Sequence, residues 1–237
     1  MGNTASARLI RRTGFMAAAL VACALTAAAQ TPAPAPATQK PGMAPRPPLL
    51  FSETFKIPPH AGEETDENTR VTPAALTNPN LEIKLYGADS SVIRAATHEQ
   101  RTDLWNGMTT SPSAVTLRDK RSMFDLTGAA RLRWILRTNA IHTLHPVVKL
   151  SDGRLLVGDR TITTQGEFLS VEVAFIGMRW YQLDPAKVVV KTEVVNPNLG
   201  AVDEVGVAML MPGGGHGIAG SANMSNVELF AYPVPRK

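Results

Sequence analysis

The chain holds one cysteine, Cys23, in its 237 residues, so no disulfide can form within it. No apolar run is long enough to cross a membrane as a helix; Phe15 to Ala22 is too short and too rich in small residues. No stretch carries a helical stripe, which argues against helix-based fold classes, and no segment repeats its neighbour closely enough for a propeller or solenoid. The glycine-rich run Gly213-Gly-Gly-His-Gly217 lacks the lysine and the strand-to-helix setting of a phosphate loop, which removes nucleotide binding. Basic charge is also scarce where it would matter. Of the net charge of +4, three units come from Arg8, Arg11 and Arg12, so the rest of the chain sits at about +1 and offers nothing for nucleic acid. His142 and His145 lie three apart, on opposite faces of a strand and with no acid partner nearby, so neither a metal site nor any other cofactor is expected.

What is present begins with an export signal over residues 1–29: a basic start at Arg8, Arg11 and Arg12, then the apolar stretch from Phe15. Two processing readings stand. Leu20-Val-Ala-Cys23 has the form of a bacterial lipobox, which would place a diacylglyceryl anchor on Cys23. Alternatively, Ala27 and Ala29 before Gln30 fit ordinary signal-peptidase cleavage and a released protein. Residues 30–48 alternate proline with alanine, threonine and glutamine, a composition that makes an extended tether rather than a core. The expected location is therefore outside the cytoplasm, in the periplasm or anchored to the envelope of a bacterium, with membrane contact only through a lipid on Cys23. Residues 49–237 are enough for one sizeable core.

Within that domain the dominant period is two. Strands are expected at Leu49 to Ile57, Leu81 to Tyr86, Ser91 to Ala95, from Ala114, and at Met123 to Leu126 before the turn Thr127-Gly128. Ala130 to Thr138 points Leu132, Trp134 and Leu136 one way and Arg131, Arg133 and Arg137 the other. His142 to Leu150 carries His145 and Lys149 outward and is followed by the hairpin turn Asp152-Gly153 and a return strand, Arg154 to Val157. Phe168 to Phe175, Trp180 to Leu183 and Lys187 to Lys191 continue the series. The tail closes it, with Val205, Val207 and Met209 on one face of a strand and Val227, Leu229 and Ala231 on one face of the last. At least ten strands without helices predict an all-β domain of two antiparallel sheets in a jelly-roll sandwich, since an immunoglobulin-like domain has too few strands.

The series Phe124-Asp-Leu-Thr-Gly-Ala-Ala-Arg-Leu-Arg-Trp134, Leu144-His-Pro-Val-Val-Lys-Leu150, Leu156-Val-Gly-Asp159, Asp203-Glu-Val-Gly206, Met211-Pro-Gly-Gly-Gly-His216 and Asn226-Val-Glu-Leu-Phe-Ala-Tyr232 resembles the bacterial secreted 3-keto-disaccharide hydrolase-like domains of the concanavalin A-like lectin and glucanase superfamily. The resemblance spans Leu49 to Arg236. It implies a jelly-roll whose concave sheet faces glycans in a periplasmic or surface setting. The chain departs from the related retaining glucanases in lacking their Glu-x-Asp-x-x-Glu strand; its acid-bearing strand Ser170-Val-Glu-Val-Ala-Phe175 offers Glu172 alone.

Glycoside hydrolysis needs two carboxylates about 5 to 9 Å apart. Glu172 would draw its partner from Asp125, Asp159, Asp184 or Glu204. Arg131, Arg133 and Arg137, grouped with His145 and Lys149 on the next strand, make a cationic face suited to carboxylated or sulfated sugars, or a solvated face balanced by Glu172 and Glu82. Trp105 is either a sugar-stacking platform at a loop tip or an anchor of that loop. His216 is either a mobile acid or base or simply the passenger of a tight glycine turn. Asp203 and Glu204 together are too little for a cation site. Two functions follow: a module that binds glycan or another anionic envelope ligand, or a carbohydrate-active hydrolase or lyase acting on a di- or oligosaccharide through Glu172 or His216. The sequence leaves open which of the two holds, and with it the oligomeric state.

Overall fold

The structure is a computed structural model that describes residues 45–98, 100–139, 142–212 and 220–236; residues 1–29, most of the expected tether, Cys23 and His216 lie outside them. The described chain forms β1 (Leu49–Glu53), β2 (Leu81–Tyr86), β3 (Arg94–His98), β4 (Arg101–Trp105) and β5 (Ser113–Asp119). It continues through β6 (Ser122–Asp125), β7 (Arg131–Thr138), β8 (His145–Leu150), β9 (Leu155–Gly158) and β10 (Leu169–Ala174). The last five are β11 (Trp180–Leu183), β12 (Val190–Val194), β13 (Val202–Met209), β14 (Ala222–Phe230) and β15 (Tyr232–Pro235).

These strands make two sheets. A six-stranded sheet runs β10-β7-β14-β4-β3, with β1 sharing the β4 edge of β14. A nine-stranded sheet runs β12-β11-β9-β8-β13-β5-β2, with β6 pairing both β13 and β15. Every pairing in the six-stranded sheet is antiparallel, as are those of β13 with its neighbours. The alternation in the sequence is the cause: Leu132, Trp134 and Leu136 of β7 are buried and join one core with Val148 and Leu150 of β8 and Val205, Val207 and Met209 of β13. The fold is the expected all-β, two-sheet antiparallel jelly-roll of concanavalin-like type.

Several boundaries differ from expectation, each for a local reason. β1 ends at Glu53 instead of reaching Ile57. The Glu53 carboxylate is fully buried and accepts hydrogen bonds from the backbone N–H groups of Phe55 (2.7 Å), Thr77 (2.8 Å) and Asn78 (2.9 Å), which turns the chain; Phe55 adopts φ 54° there. β12 starts at Val190 because the Asp184 carboxylate takes the amides of Ala186 and Lys187 into a turn first. The stretch after Thr97, expected as loop, instead completes β3 and forms β4, where Leu104 is the core contact among polar neighbours.

β14 is longer than the tail pattern suggests. Ala222 and Met224 reach the core, then the register shifts between Ser225 and Glu228, with Asn226 at φ 47°, and Val227, Leu229 and Ala231 reach the core instead. This bulge swaps the parity of the alternation, so Asn223 and Ser225 share the outer face with Glu228 and Phe230.

Candidate functional site

The outer face of the six-stranded sheet carries the arginines of β7. Arg133 lies opposite Glu172 of β10 on one side and Glu228 of β14 on the other, and Arg131 lies opposite Phe230. Arg131 Nε is 3.1 Å and Arg133 Nε 3.4 Å from Glu172 Oε2, and Arg133 Nη1 is 3.3 Å from Glu228 Oε2. Both guanidinium groups also sit over the Phe230 ring, at 4.1 Å for Arg131 and 4.8 Å for Arg133. Ion pairs on both flanks and an aromatic ring between them hold two planar forks of donors in fixed positions. They border an open groove of about 630 Å³, lined by Arg46, Arg131, Arg133, Glu172 and the apolar Ala174 and Ile176.

Farther along β7, Arg137 occupies a different setting. Its guanidinium is 5.3 Å from the centre of Phe168, and Arg101 of β4 lies 4.9 Å from the same ring. His98 of β3 packs 6.0 Å from Phe168 and pairs through Nδ1 with Asp103 Oδ1 at 2.6 Å. Asp103 is fully buried, and its second oxygen accepts from Asn223 Nδ2. Burial raises the Asp103 carboxyl above the usual aspartate range, and the bonds from Asn223 and His98 offset this only in part.

The grouping of Arg131, Arg133 and Arg137 with His145 and Lys149 does not hold. β7 and β8 are consecutive in sequence but belong to opposite sheets, so His145 and Lys149 face out on the nine-stranded side. There Lys149 Nζ is 3.1 Å from Glu204 Oε1, while Glu204 Oε2 accepts from Tyr86 Oη at 2.7 Å and Thr116 Oγ1 at 2.5 Å. Burial, reinforced by the Glu204 carboxylate, raises the Tyr86 phenol well above its ordinary value. His145 is half-buried, which lowers its pKa, and Thr143 Oγ1 lies 3.4 Å from its Nε2.

None of the four acids expected to partner Glu172 is beside it. Asp125 caps its own turn through Thr127, Asp159 pairs with Arg179, Asp184 with Lys191, and Glu204 lies in the other sheet. The carboxylate that shares Arg133 with Glu172 is Glu228. Glu82, expected to balance the β7 arginines, pairs with Lys84 and Arg118 on the nine-stranded sheet. Trp105 is not at a loop tip. It ends β4 half-buried, with the Arg94 guanidinium 4.4 Å from its ring centre and Gly107 so close that a Cβ there would meet the indole at 2.1 Å. Asp203 and Glu204 point into separate networks, Asp203 toward Arg118 and Arg236. Among the described residues no three potential metal ligands come together.

Sequence reasoning missed His98, Asp103, Asn223 and Phe168. Arg101, Asp103 and Trp105 do alternate with Leu104, but one apolar residue among polar ones gives no detectable stripe.

No protein-family model and no curated protein matches the chain. Among solved structures, a family 11 carbohydrate-binding module of a Clostridium thermocellum cellulosomal cellulase is similar over 65% of this chain and 85% of its own, at 11% identity and TM-score 0.37. An exo-β-agarase matches over 72% of this chain, at 12% identity and TM-score 0.39, with only 24% of the agarase covered. The carbohydrate recognition domain of Emp47p matches over 78% of this chain and 97% of its own, at 11% identity and TM-score 0.36.

Proposed function

We propose that this protein is a glycan-binding β-sandwich module whose binding surface is the outer face of the six-stranded sheet. The observation that carries this reading is the groove of about 630 Å³ bordered by Arg46, Arg131, Arg133 and Glu172. Sugar hydroxyls come in adjacent pairs, and planar guanidinium and carboxylate groups match two of them at once with directional hydrogen bonds. The Phe230 ring and the flanking glutamates fix the Arg131 and Arg133 forks before any ligand arrives, which lowers the ordering cost of binding. The module works outside the cytoplasm, delivered by residues 1–29 and held off the envelope by residues 30–48.

A glycan array with the full chain tests the binding reading. Retention of at least one glycan class is expected, weakened about tenfold or more in the double variant Arg131→Ala/Arg133→Ala. Retention of no glycan, or retention untouched by the double variant, would overturn it. Release of reducing sugar that disappears in Glu172→Gln would replace binding with catalysis at this groove. The anchor is read separately, by labelled palmitate: incorporation that is lost in Cys23→Ser is expected for the lipid-anchored form, and an unlabelled soluble product would establish the cleaved one.

A further inference from the structure

The outer face of the six-stranded sheet does not end at the groove. Along β7 the outward positions are Arg131, Arg133, Ile135 and Arg137, so a track of guanidinium groups runs for about 20 Å at the rise of an extended strand. The two ends of the track are built differently. At the groove end Arg131 and Arg133 are matched by Glu172 and Glu228. At the far end Arg137 rests on Phe168, and its Nε is buried with no hydrogen-bond partner in the protein. Asp103, a carboxylate close enough to act on it electrostatically, is fully buried and has its oxygens taken by His98 and Asn223.

The Asp103 bond also decides how His98 is presented. With Nδ1 turned to a buried carboxylate, Nε2 is the ring atom directed away from it. The His98 side chain is 37% exposed. It stands beside the Phe168 ring, on which Arg101 and Arg137 also rest. An oriented imidazole, an aromatic ring and two guanidinium groups form a second constellation at the opposite end of β7 from the groove.

We infer that the ligand is a linear anionic polysaccharide lying along β7, with one acidic group at Arg131 and Arg133 and another at Arg137, Arg101 and His98. The inference rests on the glycan-binding reading and names the class of glycan. A neutral sugar needs no second cluster of cations, whereas a polymer carrying a carboxylate or sulfate on successive units presents charges at intervals along a line. The fork geometry of arginine suits both groups. Multiple weak contacts spread over the track would make affinity depend on chain length, because each added contact follows the first as an intramolecular event.

The test uses the full chain and three sets of oligosaccharides graded in length: oligogalacturonates, sulfated oligosaccharides and neutral gluco-oligosaccharides. Affinity for one or both anionic sets is expected to rise by an order of magnitude between the disaccharide and a chain long enough to span the track, and to fall as salt is added. Arg137→Gln and His98→Ala should each remove most of that gain, about tenfold for the longest chain, and weaken the disaccharide by much less. Arg137→Gln removes the guanidinium from Phe168 while keeping the stem as far as Cδ and a polar end, and a thermal melt matching the parent establishes that it folds. The uronate and sulfate arms identify which acid the track takes. If Arg131→Ala/Arg133→Ala weakens binding but length, salt and Arg137→Gln do not matter, the track is wrong while the groove stands. If neutral chains bind as tightly as anionic ones, the charge class is wrong. If no glycan of any arm binds, the underlying reading fails with it.

Discussion

On the nine-stranded sheet Glu204 is 1% exposed and takes hydrogen bonds from Tyr86, Thr116 and Lys149. On the six-stranded sheet the ion pair of Arg133 with Glu172 joins side chains that are 39% and 46% exposed. Both outer faces therefore hold charged networks, but burial divides their roles. A buried carboxylate whose two oxygens already accept from three donors belongs to the fold and has little left to offer a ligand. A half-exposed pair contributes little to stability and is free to exchange partners with a ligand.

The comparison can be broken most directly at Glu204. Glu204→Ala should cost about 3–5 kcal/mol in urea unfolding, because it leaves Lys149, Tyr86 and Thr116 without their shared acceptor. A loss below about 1 kcal/mol would mean that this network is as dispensable as a surface pair.

A second break uses pH and the two aspartates. Burial alone would raise Asp203, but the guanidinium groups of Arg236 and Arg118 overcome this and hold it below the usual range. Its contribution is therefore present above the unfolded value near 4 and is lost as pH falls through the lower folded value. Asp103 has the opposite sign: its folded value is raised, so its effect favours the fold below the unfolded value and is lost as pH rises through the folded one. Urea unfolding free energies measured from pH 6 to pH 3 should show the advantage of the parent over Asp203→Asn shrinking and its standing against Asp103→Asn improving. Parallel curves for both variants would sink the assignment of opposite signs.

The smallest effect is expected at the proposed binding face. Arg133→Ala should change unfolding free energy by less than about 1 kcal/mol while still weakening glycan retention. A large stability loss there would make the arginines structural and erase the contrast between the two faces.

The sequence pattern was readable wherever one side of a strand is continuously buried. β7 shows its alternation through Leu132, Trp134 and Leu136, and the closing strand through Val227, Leu229 and Ala231. The first half of β14 escaped because the bulge at Asn226 reverses the parity, so Ala222 and Met224 fall out of step with Val227. β4 escaped because Asp103 is buried on the outer face beneath polar partners from β3 and β14, a burial that no hydrophobic period encodes.

From the residues alone came the all-β sandwich and the outward row Arg131, Arg133 and Arg137, because strand alternation is a local property fixed by backbone geometry. Only the tertiary structure decided which charges meet. Adjacent strands in sequence, β7 and β8, fold into opposite sheets, and this parts Lys149 and His145 from the arginines. The hairpin of β3 and β4 and the strand β7, distant from one another and from β14 in sequence, come together on either side of β14 in one sheet, and this brings His98, Asp103, Asn223 and Arg137 together. Pairing between distant strands is set by how two sheets close over one core, and nothing in a single strand's pattern specifies its partner.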